Sequence, residues 1–286
     1  AWLSIPGFPM DIQPSEIVKV TFTILLAKQL AYYQEHELSS IRSVAFYSGH
    51  FLFMVCLLYA ISSDAGRCLV YVAIFVCMTF AAGVKLRWFV LGGAGVTGAF
   101  LLAWFQGWIP SYMQQRIEVI LDHSLYPMGA GWHQGRSIIA FGSGGWFGQG
   151  LFHGTQTQSD SSSLPARHTD FIFSVAGEEL GYIGCIAIIV LLVAIILRCL
   201  VVARQAKTPM GALICVGFAA MLGFQMLENI GMCIFVMPVI GLTLPFFSYG
   251  GSSIITLYTA MGIVSSIRAR IVSGVKMRSL PEWLRD

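Results

Sequence analysis

The stretch that decides the fold is HTDFIFSVAGEELGYIGCIAIIVLLVAIIL, residues 168–197. It opens on a polar triplet, carries Glu178 and Glu179 inside an apolar run, and then continues without a charge as far as Arg198. An apolar segment of about 20 residues is long enough to cross a bilayer as a helix. The stretch therefore predicts a transmembrane helix with an acid, Asp170, at its mouth and two carboxylates in its first turns.

The composition of the whole chain favours a lipid environment. Of its 286 residues, 56% are hydrophobic and 11% are charged, and the mean hydropathy is +0.74. Soluble domains carry about 25% charged residues, so this chain lacks the polar groups needed to cover a globular surface. The seven cysteines form no CxxC pair, which favours buried apolar side chains over metal or disulfide roles.

Seven apolar segments are predicted to span the membrane: 14–33, 43–62, 67–84, 88–106, 171–197, 210–236 and 251–268. The connection 107–170 is long and polar, and its part 135–156 predicts a re-entrant or interfacial helix. Most of the 17 lysines and arginines fall in one set of loops and in the C-terminal tail. The positive-inside rule places that side in the cytoplasm, so the 107–170 loop and the 237–250 turn are expected to face outward.

Ionisable residues in apolar segments are costly and are treated as functional hypotheses. Glu16 and Lys19 lie one helical turn apart, which is consistent with a structural ion pair or with a polar cavity wall that offers Lys19 to a phosphate. Gln225, Glu228 and Asn229 give the 210–236 segment a polar outer end and are expected to face the same interior.

The sequence leaves the roles of two further features open. Asp170 suits either an N-cap of the following helix or a catalytic acid or base. The segment MPVIGLTLPFFSYGGSSIITL, residues 237–257, contains prolines and glycines that interrupt a helix. Ser252 and Ser253 follow it, where main-chain N–H groups at a helix start attract anions, although a tight turn with a serine cap is the alternative.

A set of short motifs follows one order along the chain: QPSE at 13–16, QQRI at 114–117, GSGG at 142–145, GTQ at 154–156, HTDFIF at 168–173, GEELG at 177–181 and SYGGSS at 248–253. In this order the motifs resemble those of the SEDS family, the RodA, FtsW and SpoVE peptidoglycan polymerases, with the RodA branch favoured. The resemblance implies an all-α integral membrane protein of ten helices. On that template residues 1–286 form one membrane domain from which the first three helices are missing, and 107–170 is the large extracellular loop.

The resemblance also implies an activity. It is that of a peptidoglycan glycosyltransferase, which polymerises glycan chains from lipid II at the outer face of the bacterial cytoplasmic membrane in elongation or division. The implied partners are lipid II, a class B penicillin-binding protein transpeptidase and membrane lipids, and not nucleic acid. Asp170 is implied as the catalytic residue, as a general base or as a ligand of Mg²⁺ or Mn²⁺, with no organic cofactor. The alternatives are a lipid II flippase or other transporter, and a non-catalytic scaffold for a transpeptidase.

The remaining predicted site residues are polar groups expected near the outer surface. Those predicted to bind substrate are Lys19, Glu16, Arg116, His168, Thr169, Ser248, Ser252 and Ser253. Those predicted to line the cavity are Asp64, Glu178, Glu179, Gln225 and Asn229. Arg67, Arg136 and Ala166 depart from the family pattern, and with the missing helices they leave open whether this chain is active on its own.

Overall fold

The computed structural model describes residues 13–62, 65–126, 128–129, 131–158 and 164–272. Within these ranges the chain forms helices joined by turns and loops, and no strand occurs. The helices are α1 (Pro14–Glu35), α2 (Ile41–Ser62), α3 (Ala65–Ala82), α4 (Leu86–Phe105), α5 (Ser111–Leu121), α6 (Trp132–Ser143), α7 (Ile172–Gln205), α8 (Pro209–Cys233) and α9 (Gly251–Val272).

The long helices lie where the apolar segments predicted them, which confirms the all-α membrane fold. Among the described residues, α2, α4, α7, α8 and α9 are long and apolar enough to cross a membrane, by length and composition. The apolar part of α3 is shorter, and α1 carries an ion pair near its start. The loop adds α5 and α6; the helix predicted for 135–156 is observed as α6, followed by turns.

Helix α8 lies at the centre of the bundle. Phe218, Met221 and Leu222 on this helix are almost completely buried, and α8 packs against α1, α3 and α7. Helix α4 has no buried residue, and its apolar side chains remain exposed. Exposed apolar helix surface of this kind is what a bilayer covers, so the packing agrees with the composition.

Helix α7 is interrupted at Gly181, whose φ of 68° and ψ of −171° are not helical. The interruption leaves main-chain groups without partners inside the helix, and the loop after α6 pairs with them. Tyr182 N donates to Gly145 O at 3.0 Å, and Gln149 N donates to Glu178 O at 2.9 Å. Because buried main-chain groups must be hydrogen-bonded, the break in α7 and the loop over residues 144–150 stabilise each other.

The two adjacent carboxylates in α7 hold the same loop. Glu178 accepts hydrogen bonds from the main-chain N–H groups of Gln156 at 2.7 Å and Thr157 at 2.9 Å. Glu179 accepts from Phe152 N at 3.0 Å and from Gln158 Nε2 at 2.8 Å, so both carboxylates have several donors. Charge-assisted bonds of this kind make two buried acids tolerable in an apolar helix, and the loop is thereby docked on α7.

Candidate active site

The triplet His168–Asp170 lies at the mouth of α7, and its main chain is held from two directions. Ser248 Oγ donates to Thr169 O at 2.6 Å, and Tyr249 N donates to His168 O at 2.8 Å. The donors belong to the irregular segment 237–250, which the prolines and glycines keep out of a helix. The main-chain position of the triplet therefore depends on that segment, which is far away in the sequence.

Asp170 is not the cap of α7. The N-cap residue is Phe171, whose side chain makes no capping hydrogen bond, so the expectation that Thr169 or Asp170 is the N-cap residue is wrong. The position of Asp170 is instead set by Asn229 of α8, whose Nδ2 donates to Asp170 O at 2.7 Å. The Asp170 carboxylate lies against Gly241: a Cβ added to this glycine would be 3.5 Å from Asp170 Oδ2.

Asn229 also connects the triplet to the irregular segment. Its Nδ2 donates a second hydrogen bond to Leu242 O at 2.7 Å, and the residue is completely buried. One amide group thus joins α8, the loop before α7 and the irregular segment at the point where the Asp170 carboxylate lies.

The Glu16–Lys19 pair lies on the other side of Leu242. Lys19 Nζ is 2.7 Å from Glu16 Oε1, and both side chains are buried. Arg67 and Leu242 lie around this pair, and the space between them is too small to admit a water molecule. The ion pair is observed, and the binding of a phosphate by Lys19 stays a prediction. Lys19 and Arg67 lie beside Leu242, which directly follows the Gly241 that the Asp170 carboxylate approaches.

The predicted serines lie at the same end of the molecule, where their hydroxyl groups form hydrogen bonds with other segments of the chain. Ser252 Oγ accepts a hydrogen bond from Gln13 N at 3.0 Å, and Ser253 Oγ is 3.3 Å from Thr243 Oγ1. Ser248 Oγ accepts from the main-chain N–H of the irregular segment as well. Their binding of a substrate anion stays a prediction.

Two loop helices complete the surroundings of the triplet. Arg116 on α5 is exposed, and its Nη1 donates to Val239 O at 2.7 Å. His133 on α6 stacks on Phe171, with the ring centroids 6.3 Å apart. Burial, and in second place the positive charge of Arg116, lower the pKa of His133 below its usual value. Helices α5 and α6 thus enclose the mouth of α7, and the periodicity of the sequence alone did not predict this contact.

Some predicted residues do not join this group. Glu178 and Glu179 bind the docked loop instead of facing Asp170, and Asp64 lies outside the described residues. Gln225 is buried one turn before Asn229 on α8, and its Oε1 has no hydrogen-bond partner.

Glu228 was not among the predicted site residues. Its ionisable side chain within an apolar segment is the feature of the sequence that indicates it. It is 2% exposed, and neither carboxylate oxygen has a hydrogen-bond partner. It adjoins Asn229 and lies within electrostatic range of Asp170. A buried carboxylate without a partner is costly, so Glu228 marks this part of α8 as more than a packing surface.

The arrangement suits proton transfer and the binding of an anion. Asp170 is a carboxylate on a main chain held in place, and Lys19, Arg67 and Arg116 are cations at the same end of the fold. A divalent cation would find few protein ligands: no group of three His, Cys, Asp or Glu side chains within the described residues could hold one. Sites with one or two carboxylates completed by substrate phosphates are typical of Mg²⁺, so Asp170 remains compatible with that role.

Comparison with known proteins places the chain in a family. The family model FTSW_RODA_SPOVE, described as cell cycle protein, matches residues 1–271. The peptidoglycan glycosyltransferase MrdB of Escherichia coli is 37% identical over 257 residues, which are 89% of this chain and 67% of that protein. The probable peptidoglycan glycosyltransferase FtsW of Geobacter metallireducens is 37% identical over 276 residues, 94% of this chain and 70% of that protein.

Solved structures agree with the sequence relatives. A chain from a peptidoglycan synthase complex, described as coordinating polymerization and crosslinking, superposes with a TM-score of 0.76 at 29% identity, covering 94% of this chain and 73% of that one. The rod shape determining protein RodA of Thermus thermophilus superposes with a TM-score of 0.63 at 28% identity, covering 94% and 69%.

Proposed function

This chain belongs to the FtsW, RodA and SpoVE family, and from that membership we propose that it is a peptidoglycan glycosyltransferase of a bacterial membrane that polymerises glycan chains for cell shape or division. The names of the relatives support the activity. The observation in the structure that carries the proposal is the Asp170 carboxylate, held at the mouth of α7 against Gly241 by hydrogen bonds to the main chain around it.

The proposed substrate is lipid II, a disaccharide-peptide on undecaprenyl pyrophosphate. In the reaction the 4-hydroxyl of one lipid II attacks the anomeric carbon of the growing chain. A glycosidic bond forms, and the bond to the pyrophosphate oxygen breaks. Asp170 takes the hydroxyl proton as general base, while Lys19 and Arg116 stabilise the charge that develops on the leaving pyrophosphate.

A divalent cation is the alternative partner of Asp170. Mg²⁺ or Mn²⁺ held by the Asp170 carboxylate and the pyrophosphate oxygens would supply positive charge to the leaving group. In that case the acceptor hydroxyl needs another base. Buried Glu228, which adjoins Asn229 and whose carboxylate oxygens have no hydrogen-bond partner, is the carboxylate we propose for that role.

Orientation and assembly follow from the same family. We propose that the basic end of the bundle faces the cytoplasm and that the Asp170 end faces outward, because basic residues concentrate at the opposite end from Asp170. A crosslinking partner of the class B penicillin-binding protein type is supported by the similarity to a chain of a peptidoglycan synthase complex.

The test is polymerisation of purified lipid II by the protein with its transpeptidase partner, whose own active site is blocked. Asp170→Asn is expected to abolish glycan chains. Glu118→Gln is the matched control and is expected to keep activity, because Glu118 is a partly exposed acid of the same loop whose side chain bonds Tyr126 at the loop surface.

Each outcome of this test decides between functions. Equal polymer from Asp170→Asn and the unmodified protein would refute the catalytic role of Asp170. If no form of a demonstrably folded protein makes polymer, the polymerase proposal fails. A lipid II translocation assay in vesicles then distinguishes a flippase from a scaffold. Translocation would support the flippase, in which the buried charged residues Glu16, Lys19 and Glu228 would take part.

A further inference from the structure

An open apolar groove runs between α7 and α9, at a distance from the candidate active site. The groove has a volume of about 760 Å³, which is within the range of volumes of small-molecule binding sites. Its walls are apolar side chains such as Leu191 and Ile195 of α7 and Met261 and Val264 of α9, and Phe246 and Phe247 of the irregular segment close one end. The groove therefore has the lining that a hydrocarbon chain requires.

Two arginines lie along the same groove. Arg198 comes from α7 and Arg268 from α9, and no acidic residue belongs to the lining. Within the described part of the chain neither guanidinium has an ion-pair partner. An anion near this end of the groove would therefore meet two positive charges, so the groove combines an apolar channel with a basic end.

The groove covers much of one leaflet of a membrane. From Arg198 back to Leu191, the α7 residues that line it extend over about 10 Å at 1.5 Å per residue. Half of the hydrocarbon thickness of a bilayer is roughly 15 Å. A lipid whose phosphate lies at the arginines would thus place an acyl chain along the groove as far as its inner end.

We propose that this groove is a binding site for an anionic phospholipid, with its phosphate on Arg198 and Arg268 and one acyl chain between α7 and α9. The lipid comes from the leaflet on the basic side of the bundle. Because Phe246 and Phe247 directly precede Ser248, the acyl chain touches the segment whose Ser248 holds Thr169 O. An occupied groove then supports the irregular segment beneath the Asp170 carboxylate.

The polyprenyl substrate is not the occupant that the charges favour. Arg198 follows Asp170 by 28 positions, which corresponds to on the order of 40 Å along α7. A lipid whose pyrophosphate reacts at Asp170 cannot place the same anion at Arg198. The phosphate at the arginines therefore belongs to a different molecule, and the inference does not depend on the glycosyltransferase activity.

The test measures lipid binding to the purified protein by native mass spectrometry, with phosphatidylglycerol and phosphatidylcholine of identical acyl chains. The unmodified protein is expected to prefer phosphatidylglycerol. The double variant Arg198→Gln/Arg268→Gln is expected to weaken phosphatidylglycerol binding by roughly 30-fold, about fivefold per arginine. The matched control is Arg42→Gln/Arg87→Gln, which removes two exposed positive charges that do not line the groove.

A second variant tests the apolar part of the groove without a change of charge. Ala194 lines the groove, and Ala194→Trp is expected to exclude the acyl chain and to remove the bound lipid, with the helix content by circular dichroism unchanged. A photo-crosslinking residue at the same position is expected to capture lipid.

Several results would overturn the proposal. One is an equal loss of phosphatidylglycerol binding in the two double variants, which would mean a general charge effect. Others are an absence of preference between the two lipids and an unchanged lipid load in Ala194→Trp. Capture of a polypeptide by the crosslinker at residue 194 would show that a protein segment occupies the groove instead.

Discussion

Replacing Asn229 with alanine is expected to destabilise the fold and to displace Asp170. The side chain is completely buried, and its Nδ2 donates to Asp170 O and to Leu242 O, each at 2.7 Å. The variant leaves two carbonyl groups without this donor, and an unsatisfied buried polar group costs about 1–3 kcal/mol. We therefore expect a loss of roughly 2–4 kcal/mol from these hydrogen bonds alone.

Gln225 provides the matched control for this prediction. It is a buried amide one turn earlier on the same helix, and its Oε1 has no hydrogen-bond partner. Gln225→Ala removes a comparable volume, so the difference between the two variants isolates the hydrogen bonds of Asn229. The measurement is the free energy of unfolding of both variants by denaturant titration in detergent, with polymerisation of lipid II as a second readout.

The rate of lipid II polymerisation by Asn229→Ala should fall by more than the loss of folded protein would cause. A displacement of a catalytic group by about 1 Å can reduce a rate on the order of 100-fold, and Asn229 sets the main-chain position of Asp170. If Asn229→Ala is no less stable than Gln225→Ala and polymerises lipid II at the unmodified rate, the proposed connection between α8 and Asp170 is refuted.

Three further changes follow from single features of the structure. Glu228→Gln is expected to raise the free energy of unfolding at neutral pH by roughly 1 kcal/mol, because it removes a carboxyl group that burial without a hydrogen-bond partner makes costly; a lower stability would show that the carboxyl group is compensated. Gly148→Ala is expected to detach the loop from α7 and to expose the loop to a protease. The reason is that Gly148 has a φ of +78° and that an added Cβ would overlap the α7 main chain. The control Gly142→Ala adds a Cβ in open space and should leave protease cleavage unchanged. His133 has a pKa lowered by burial and by the charge of Arg116, so the unfolded chain takes up the proton first and stability should decrease as the pH falls through about 6.5. In His133→Phe this component of a pH titration of unfolding should vanish, and an unchanged profile would mean that other groups cause it.

The positions of the helices could be predicted from the sequence because they depend on local composition. A run of apolar residues needs a helix to satisfy its main chain in lipid, so the start of each long helix was located within a few residues, whereas α7 continues to Gln205, eight residues beyond the predicted end. The irregular segment 237–250 was predictable for the same local reason, since proline and glycine interrupt a helix wherever they occur. Asp170 stood out by its place in an ordered set of motifs, whereas its residue chemistry alone favoured a helix cap over a catalytic role.

The partners of the polar side chains were decided by the tertiary structure. Glu178 and Glu179 bind a loop about 20–30 residues earlier in the chain, and no periodicity of α7 indicates that pairing; their lining of a cavity stays a prediction. Asn229 and Asp170 are 59 positions apart, and Arg116 and Val239 are 123 apart. Hydrogen-bond partners this distant depend on how the helices pack. The sequence alone therefore determined which segments are helical and which residues are chemically unusual, and only the packed fold determined which of those residues meet.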